Sequence, residues 1–371
     1  MAGPKSICIC GGGSLGHVIA AVLSNKGYTV NIWTSRPTQW QSEIIVNDCN
    51  GKTIKGVLNV VSGRPEDTVA ISDMILLCVP GFLVEQTLRD AKPYIRPETL
   101  VGSVVCSNGF FWIARHILGS TCGLFGFQRV PYICRLIEYG KSAEIKGYKS
   151  KLKIAGCLAD GKLDELAAFF SQAFDTPTYT LNHYLEATLT NSNPLLHPTR
   201  IYGMLSKETT DAFDKEFMFY EEWDDYSSEV LINCDNEFQK ILEHLPVKRE
   251  EIPGILEYYE STDPASLTRK IRSITAFKGI KMAMINQAGK YYVDYSNRYF
   301  TEDIPFGLLI IKSIAEAMSM DTPYIDTLLQ WMQGRMQKEY LVGSELKGQD
   351  LPCSGIIQNF GIDNIRKLSD L

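Results

Sequence analysis

A glycine-rich turn between two short apolar runs constrains this chain more than any other feature. Lys5–Cys10 has the length and composition of a strand, and Gly11, Gly13 and Gly16 follow it in G-x-G-x-x-G spacing. The next residues repeat apolar positions with the period of a helix that has one buried face, and Tyr28–Trp33 is a second β-rich run. Strand, glycine turn, helix and strand together form the unit that binds a dinucleotide pyrophosphate. The sequence therefore predicts a nucleotide site, with a glycine turn in an unliganded α/β protein as the alternative.

The end of the second run indicates which dinucleotide is expected. NAD-preferring sites place an acidic residue there to bind the ribose 2′-hydroxyl, whereas this chain has Thr34, Ser35 and Arg36. Because arginine binds phosphate in bidentate fashion, NADP(H) is favoured, while NAD(H) and a merely solvated Arg36 stay open. A third apolar run ends at Val79 and Pro80, beyond which such sheets bind ligands. The predicted cofactor-binding residues are Gly11, Gly12, Gly13, Ser14, Leu15, Thr34, Ser35, Arg36, Val79 and Pro80.

The order of strand-like and helical runs predicts two domains. Strands and helices alternate up to about residue 180, which is typical of a doubly wound, largely parallel sheet. We therefore predict an α/β, Rossmann-like domain over residues 1–181 and an all-helical domain over residues 182–371. The expected strands after the first two are 74–79, 99–105, 123–127, 143–145, 152–155 and 178–181; the expected helices are 81–92, 110–118, 163–173, 183–191, 221–245, 267–285, 305–318 and 324–338.

Composition argues against several classes of protein. A net charge of −6 over 371 residues disfavours a nucleic-acid partner, and the absence of an 18-residue apolar run disfavours a membrane span. The ten cysteines are scattered without a C-x-x-C pair, so neither a metal site nor a disulfide framework is expected. We predict a cytoplasmic protein with no membrane or nucleic-acid partner.

His197 is the strongest of five histidines as a candidate for chemistry. Pro194 and Pro198 surround it in NSNPLLHP (191–198), and each removes a helical amide. We therefore predict a break between two helices, with Pro198 opening the second and His197 capping it. A helix N-terminus disfavours an imidazolium, so His197 is expected to be neutral and able to exchange protons. A histidine that only caps the helix is the alternative.

A carboxylate that could orient His197 lies in NRYFTEDIP (297–305). Thr301 is expected to cap a helix whose first turn contains Glu302 and Asp303. An ionised aspartate can orient an imidazole and stabilise its protonated form. Acids favour helix N-termini without any function, so the spacing leaves open whether His197 and Asp303 meet.

The chain resembles the octopine/nopaline-type opine dehydrogenases along nearly its whole length. The segments that carry the resemblance are GGGSLGH (11–17), CVP (78–80), FQRVPYICR (127–135), NSNPLLHP, NRYFTEDIP and KEYLV (338–342). The resemblance implies that an amino acid amine condenses with an α-keto acid, pyruvate by family precedent, and that NAD(P)H reduces the resulting imine. It also implies that His197 is the general acid/base and that Asp303 orients it.

Four further residues are predicted to bind the substrates, which are an amino acid and an α-keto acid. Arg298 is expected to hold a carboxylate or, if the domains close, the cofactor pyrophosphate, with a surface arginine as the alternative. Asn193 is expected to hydrogen-bond the substrate or only to cap the helix, while Gln128 and Cys134 follow from the resemblance. Where members that use arginine are expected to carry an acid, this chain has Gln128 followed by Arg129, which would repel a guanidinium. An uncharged or acidic amino acid is therefore expected, and a homodimer is left open.

Two other functions are compatible with the sequence. The first is a 2-keto acid reductase, that is, a hydroxy-acid dehydrogenase of a related two-domain family, with Lys278 or Lys281 as its essential lysine. The second is an NADP-binding regulator without catalysis.

Overall fold

The computed structural model describes residues 3–208, 210 and 212–371, and the chain divides into two units. The first ends at Thr190 and also contains Leu371, and the second comprises Asn191–Asp370. None of the helices in the described part of the chain has the length and hydropathy of a membrane span.

The strands of the first unit are β1 (Ser6–Cys10), β2 (Thr29–Trp33), β3 (Glu43–Asp48), β4 (Thr53–Val57), β5 (Val60–Ser62), β6 (Met74–Leu77), β7 (Leu100–Ser103), β8 (Gly123–Phe127), β9 (Tyr132–Glu138), β10 (Ser142–Tyr148), β11 (Leu152–Cys157) and β12 (Thr178–Thr180). Its helices are α1 (Ser14–Asn25), α2 (Pro65–Thr68), α3 (Gly81–Ala91), α4 (Phe110–Leu118), α5 (Lys162–Ala173) and α6 (Tyr184–Thr188).

An eight-stranded sheet confirms the predicted Rossmann-like fold of the first unit. Its strand order is β12-β11-β8-β7-β6-β1-β2-β5. Neighbouring strands are parallel except β8 and β11, which are antiparallel. The strand order reverses next to β1, and in such sheets the crevice beyond the strand ends at a reversal is where ligands bind. The glycine turn that follows β1 therefore lies where a nucleotide is expected.

A second sheet, which the sequence did not predict, covers α1. Its order is β4-β3-β10-β9, so the expected strand at 143–145 belongs here and not to the doubly wound sheet. β4 alternates exposed and buried residues, which marks a strand with one solvated face. A Cβ on Gly56 of β4 would lie 2.6 Å from Cα of Ala21 in α1. Helix α1 is thus buried from Gly16 through Leu23, not along one face only as its pattern predicted.

The second unit is helical as predicted and adds two small antiparallel sheets, β13-β15-β14 and β16-β17. The helix expected at 267–285 ends at Ser273, because Ile274 adopts extended backbone angles (φ −69°, ψ 112°). The chain then turns at Gly279 (φ +73°) and forms a hairpin through Gly289 (φ +84°). Its helices are α7 (Asn193–Leu205), α8 (Asp225–Leu242), α9 (Ile255–Tyr258), α10 (Pro264–Ser273), α11 (Arg298–Thr301), α12 (Leu309–Ala317), α13 (Pro323–Met336) and α14 (Ile365–Ser369). Its strands are β13 (Ala212–Phe213), β14 (Met284–Gln287), β15 (Lys290–Val293), β16 (Leu341–Val342) and β17 (Glu345–Leu346).

The predicted helix break at His197 is wrong. Helix α7 runs through Pro198, so His197 lies inside the helix and does not cap it. Pro194 occupies the second helical position, where no intrahelical amide bond is needed, and Pro198 removes only the bond to the carbonyl of Pro194. One lost bond bends a helix without ending it when tertiary packing supports both sides.

The predicted cap at Thr301 is also wrong. Asn297 caps α11, its Oδ1 accepting from the amide of Tyr299 at 3.1 Å, and Thr301 is the last residue of that short helix. Glu302 and Asp303 then connect α11 to a π-helical turn, Ile304–Leu308. Asp303 is therefore at the N-terminus of an irregular turn and not in the first turn of a regular helix.

Candidate active site

His197 and Asp303 meet within the second unit although 106 residues separate them in the sequence. Nδ1 of His197 lies 2.7 Å from Oδ2 of Asp303, and the two side chains are 9% and 10% exposed. Since a carboxylate only accepts, Nδ1 of a neutral imidazole carries the hydrogen and Nε2 is left as an acceptor. Such a pair can take a proton at Nε2 and stabilise the imidazolium that forms.

Aromatic side chains enclose the imidazole. The hydroxyl of Tyr220 lies 3.0 Å from Nε2 of His197, and the rings of Tyr299 and Phe219 lie 4.5 Å and 5.7 Å from the imidazole between centroids. Burial raises the pKa of the Tyr299 phenol, and the charge of Asp303 raises it further. Aromatic rings therefore shield the imidazole from solvent.

Sequence reasoning missed these aromatic residues. Tyr220 and Phe219 follow α7 in an irregular segment, and no spacing rule relates them to a histidine 23 residues earlier. Tyr299 could have been predicted from the sequence, because it immediately follows Arg298 in the NRYFTEDIP segment that also contains Asp303.

The predicted substrate-binding residues fall into two groups. Asn193 is four residues before His197 on α7, so both lie on one face of that helix. Arg298 begins α11. Its side chain is 73% exposed, and its Nη2 lies 3.9 Å from Oε1 of Glu302. Gln128 and Cys134 instead belong to the first unit: Nε2 of Gln128 donates to the carbonyl of Glu186 at 3.4 Å. Burial raises the pKa of the Cys134 thiol, and a hydrogen bond with Ser14 of the glycine turn opposes that rise.

The glycine turn has the stereochemistry that a pyrophosphate site needs. Gly11 has φ +115°, and a Cβ on Gly16 would lie 2.3 Å from the carbonyl oxygen of Gly11. A Cβ on Gly13 would meet no atom of the described residues within 4 Å. Gly11 and Gly16 are thus required by the fold itself, whereas Gly13 leaves open space at the N-terminus of α1. Among the described residues, no side chain caps that terminus at Gly13, so its amides are free of a capping side chain and can bind a phosphate.

Three of the remaining cofactor candidates, Gly12, Thr34 and Arg36, lie around Tyr139, which sequence reasoning missed. Its hydroxyl is 2.7 Å from Oγ1 of Thr34, and the Arg36 guanidinium lies 3.8 Å from the centre of its ring. A Cβ on Gly12 would lie 2.3 Å from the same hydroxyl. Ser35 is exposed next to them. Tyr139 therefore links the glycine turn to the end of β2.

On the other side of the glycine turn, Val79 and Pro80 follow β6. A Cβ on Gly11 would lie 3.0 Å from Cγ1 of Val79, and Pro80 precedes the first residue of α3. Leu15 follows Ser14 in the first turn of α1 and packs against the core of the first unit.

His17 fixes the glycine turn to the segment that carries Tyr139. Its Nε2 accepts from the amide of Gly140 at 2.7 Å, so its Nδ1 donates to the carbonyl of Gly13 at 2.9 Å. The imidazole stacks on Trp40 with 4.1 Å between centroids. Burial lowers the pKa of His17, which keeps the ring neutral in this arrangement.

Two family models match this chain. Residues 180–336 match the alpha-helical domain of NAD/NADP octopine/nopaline dehydrogenase, and residues 6–117 match the N-terminus of NAD-dependent glycerol-3-phosphate dehydrogenase. The first match contains the His197 site and the second contains the glycine turn.

Similar proteins match over nearly the whole chain. It is 27% identical to an opine dehydrogenase of Haliotis discus hannai, with 99% of this chain and 98% of that protein covered. It is 28% identical to a tauropine dehydrogenase of Arabella iricolor, with 97% and 98% covered. Among solved structures, octopine dehydrogenase with NADH and L-arginine superposes with a TM-score of 0.87 at 25% identity, covering 98% of this chain and 97% of that one. Octopine dehydrogenase with NADH and agmatine gives a TM-score of 0.86 at 26% identity and the same coverage.

Proposed function

Because the chain belongs to the octopine/nopaline dehydrogenase family, we propose that it condenses the amine of an amino acid with an α-keto acid and reduces the imine with NAD(P)H. The observation that carries the proposal is the buried contact between His197 and Asp303. Condensation needs one group that first takes a proton from the amine and later gives one to the departing hydroxyl. A neutral imidazole oriented by a carboxylate meets both needs.

Each member of the pair has a separate task. His197 takes up the equivalent of the proton that leaves the substrate ammonium, so that the free amine can attack the keto carbon. Asp303 holds Nδ1–H and stabilises the imidazolium that forms. The imidazolium then gives up its proton toward the carbinolamine hydroxyl, which leaves as water and yields the protonated imine. Arg298, whose guanidinium is exposed, would bind a substrate carboxylate, and Asn193 would bind the substrate one helical turn from His197.

The glycine turn fits a dinucleotide, as its open space at Gly13 and its uncapped helix terminus indicate. Gly11 to Leu15 would hold the pyrophosphate, Thr34 to Arg36 the adenosine ribose, and Val79 and Pro80 the nicotinamide. When bound, the reduced nicotinamide supplies the hydride that adds to the imine carbon. We propose a preference for NADP(H), supported by Arg36 and by the absence of an acid at the end of β2.

We propose pyruvate as the keto acid on family precedent and an uncharged or acidic amino acid as its partner. The second part is supported by Gln128 and Arg129, which replace the acid that a guanidinium substrate would require. Arg129 donates to the carbonyl of Thr190 at 2.7 Å, which keeps a positive charge next to Gln128. A cationic amino acid such as arginine is therefore expected to be a poor substrate.

Three proposals concern the protein as a whole. We place it in the cytoplasm, which its ten free cysteines support because such thiols persist in a reducing compartment. We propose small molecules, and neither nucleic acid nor membrane, as its partners, in keeping with its net charge of −6. A homodimer is left to a measurement of mass in solution.

A substrate screen tests the proposed function. NADPH and NADH oxidation is followed with pyruvate and each amino acid in turn, and pyruvate alone serves as the control. We expect oxidation only when both a keto acid and an amine are present. Oxidation with pyruvate alone would instead support the 2-keto acid reductase, for which Lys281 is a weak candidate because it pairs with Glu216 at the surface. Cofactor binding without turnover on any amino acid would support the regulator.

A further inference from the structure

We propose that Tyr220 relays the proton between His197 and the substrate. The inference rests on the proposed function, because it concerns the proton transfers of that reaction. It assigns a role to a residue that no sequence pattern singled out.

Both nitrogens of the imidazole have partners, and the lone pair of Nε2 faces the Tyr220 hydroxyl. Asp303 occupies Nδ1, the Tyr220 hydroxyl lies at hydrogen-bond distance from Nε2, and the Tyr299 ring lies 4.5 Å from the imidazole. Both residues are buried. A proton can therefore reach Nε2 either through the Tyr220 hydroxyl or after Tyr220 has moved away.

Packing of the Tyr220 ring argues against its moving away. The ring stacks on Phe277 with 4.0 Å between centroids and an interplanar angle of 16°, and it is parallel to Trp223 within 4° at 6.2 Å. A stacked ring held between neighbours keeps its hydroxyl directed at one place. Among the described residues, Tyr220 is also the phenol whose oxygen is bonded to the catalytic imidazole.

The backbone next to Tyr220 is held by Arg200, which belongs to the same helix as His197. Nε of Arg200 donates to the carbonyl of Phe219 at 2.7 Å, and Nη2 donates to the carbonyl of Glu222 at 2.7 Å. Arg200 is 1% exposed, and its distance to the carboxylate of Asp224 is 3.8 Å. Burial lowers the pKa of Arg200 to about 10, so it is still charged at neutral pH. The buried Arg200 guanidinium donates to two backbone carbonyls, and it therefore fixes the segment on both sides of Tyr220 relative to α7.

The relay balances in both directions. In the first step, the substrate ammonium N–H bond breaks and its proton joins the Tyr220 oxygen. The original phenolic proton passes to Nε2 of His197, so the phenol is neutral before and after, and the positive charge faces Asp303. In the second step, the Nε2 proton returns to the Tyr220 oxygen while the phenolic proton passes to the carbinolamine hydroxyl, which leaves as water. Burial raises the pKa of Tyr220, which agrees with a phenol that passes protons without becoming a phenolate.

Tyr220→Phe tests the relay because it removes the hydroxyl and keeps the stacked ring. Tyr202→Phe is the matched control, since Tyr202 is on α7 and packs against Trp331 instead of His197. With pyruvate and the amino acid that gives the fastest turnover in the screen, we expect Tyr220→Phe to lower kcat by about 10–100-fold, a part of what acid–base catalysis contributes. NADPH and NADH dissociation constants should not change.

Two further readouts separate a relay from packing. In mixtures of H2O and D2O, kcat/KM of the unmodified enzyme should depend on the deuterium fraction with the curvature of two moving protons, and this curvature should be lost in Tyr220→Phe. With 15N-histidine, the Nε2 resonance of His197, assigned with His197→Gln, should move downfield in Tyr220→Phe and stay in place in Tyr202→Phe.

Each outcome decides the matter. A kcat for Tyr220→Phe within twofold of the unmodified enzyme with the same isotope effect, or a kcat above it, would overturn the relay. If the unmodified enzyme turns over no amino acid with pyruvate, the proposed function fails. The NMR shift is measured without substrate, so it then still reports whether Tyr220 bonds to His197, and an unmoved resonance would overturn that bond in particular.

Discussion

The glycine turn of the first unit is shaped by backbone contacts, whereas the His197 site of the second unit is held by side chains. At the glycine turn, a methyl group on Gly16 would collide with a carbonyl oxygen at 2.3 Å. At the His197 site, the contact that matters joins an imidazole to a carboxylate across 106 residues of sequence. Fold and binding are therefore inseparable at Gly16, while at His197 the reacting atoms belong to a side chain that can be replaced without a change in any backbone contact.

The largest effect is expected at the side-chain site. His197→Ala should lower kcat by about 10²–10⁴-fold, which is what positioned acid–base catalysis contributes, and NADPH binding should be unchanged. Steady-state kinetics and fluorescence titration of NADPH measure the two quantities. His244→Ala, which changes an exposed histidine of the same unit, is the control. Turnover close to that of the control would remove His197 from the mechanism.

The backbone site should split into two classes of glycine. Gly16→Ala forces α1 away from β1, and overpacking of this kind costs about 1–3 kcal/mol, so both the melting temperature and NADPH affinity should fall. Gly13→Ala should lower NADPH affinity by about tenfold or more while the melting temperature stays unchanged, because its methyl group enters open space and its φ of −79° suits alanine. Thermal melting and NADPH titration of both variants measure this. A Gly13→Ala variant that binds NADPH normally would contradict the assignment of that space to the pyrophosphate.

A smaller effect should appear at the end of β2. Arg36→Ala should weaken NADPH by roughly 10–100-fold, the worth of charge-assisted hydrogen bonds, and NADH by much less. Dissociation constants for both cofactors are compared with those of Arg89→Ala, a surface arginine paired with Glu85. Equal weakening of NADPH and NADH would contradict the proposed contact with a 2′-phosphate.

The smallest effect concerns pH and His17. Because burial lowers the pKa of His17 below its ordinary value of 6.5, the unfolded chain binds a proton more readily than the folded one. The stability that His17 contributes is thus present above about pH 6.5 and is lost as the pH falls toward the lower, folded value. The melting temperature should drop less between pH 7.5 and pH 5 in His17→Gln than in the unmodified protein, with His244→Gln as the control. An equal drop in His17→Gln would contradict a neutral, buried His17.

The same contrast explains what could be predicted from the sequence. The glycine spacing and the periodicities around it act within about thirty residues, and they predicted β1, α1 and β2. The alternation of strand-like and helical runs up to about residue 180 predicted the doubly wound sheet. The second sheet over α1 was missed because its strands are half exposed and because β10 pairs with β3, far away along the chain. Local rules also gave the wrong cap at Thr301 and the wrong break at Pro198, where tertiary packing carries the helix through a proline.

The contacts of the candidate site were harder to predict from the sequence than the fold. His197 and Asp303 were each singled out from the residues, but only the resemblance paired them, and spacing alone left their meeting open. No sequence pattern pointed to Tyr220, Tyr139 or Arg200. Each of the three acts through a contact that exists only in the folded chain. The Tyr220 hydroxyl bonds to an imidazole, the Tyr139 ring lies under a guanidinium, and the Arg200 guanidinium donates to backbone carbonyls.

A double-mutant cycle on His197 and Asp303 tests most directly the claim that the two residues act as one unit. The cycle compares kcat, with pyruvate and the best amino acid, for the unmodified enzyme, His197→Ala, Asp303→Asn and the double variant. If Asp303 acts only through His197, the double variant should be no more than about threefold slower than His197→Ala, because residues that act as a unit are strongly non-additive. Two losses that multiply in the double variant would show that Asp303 acts independently, and would contradict the pair as the acid–base centre.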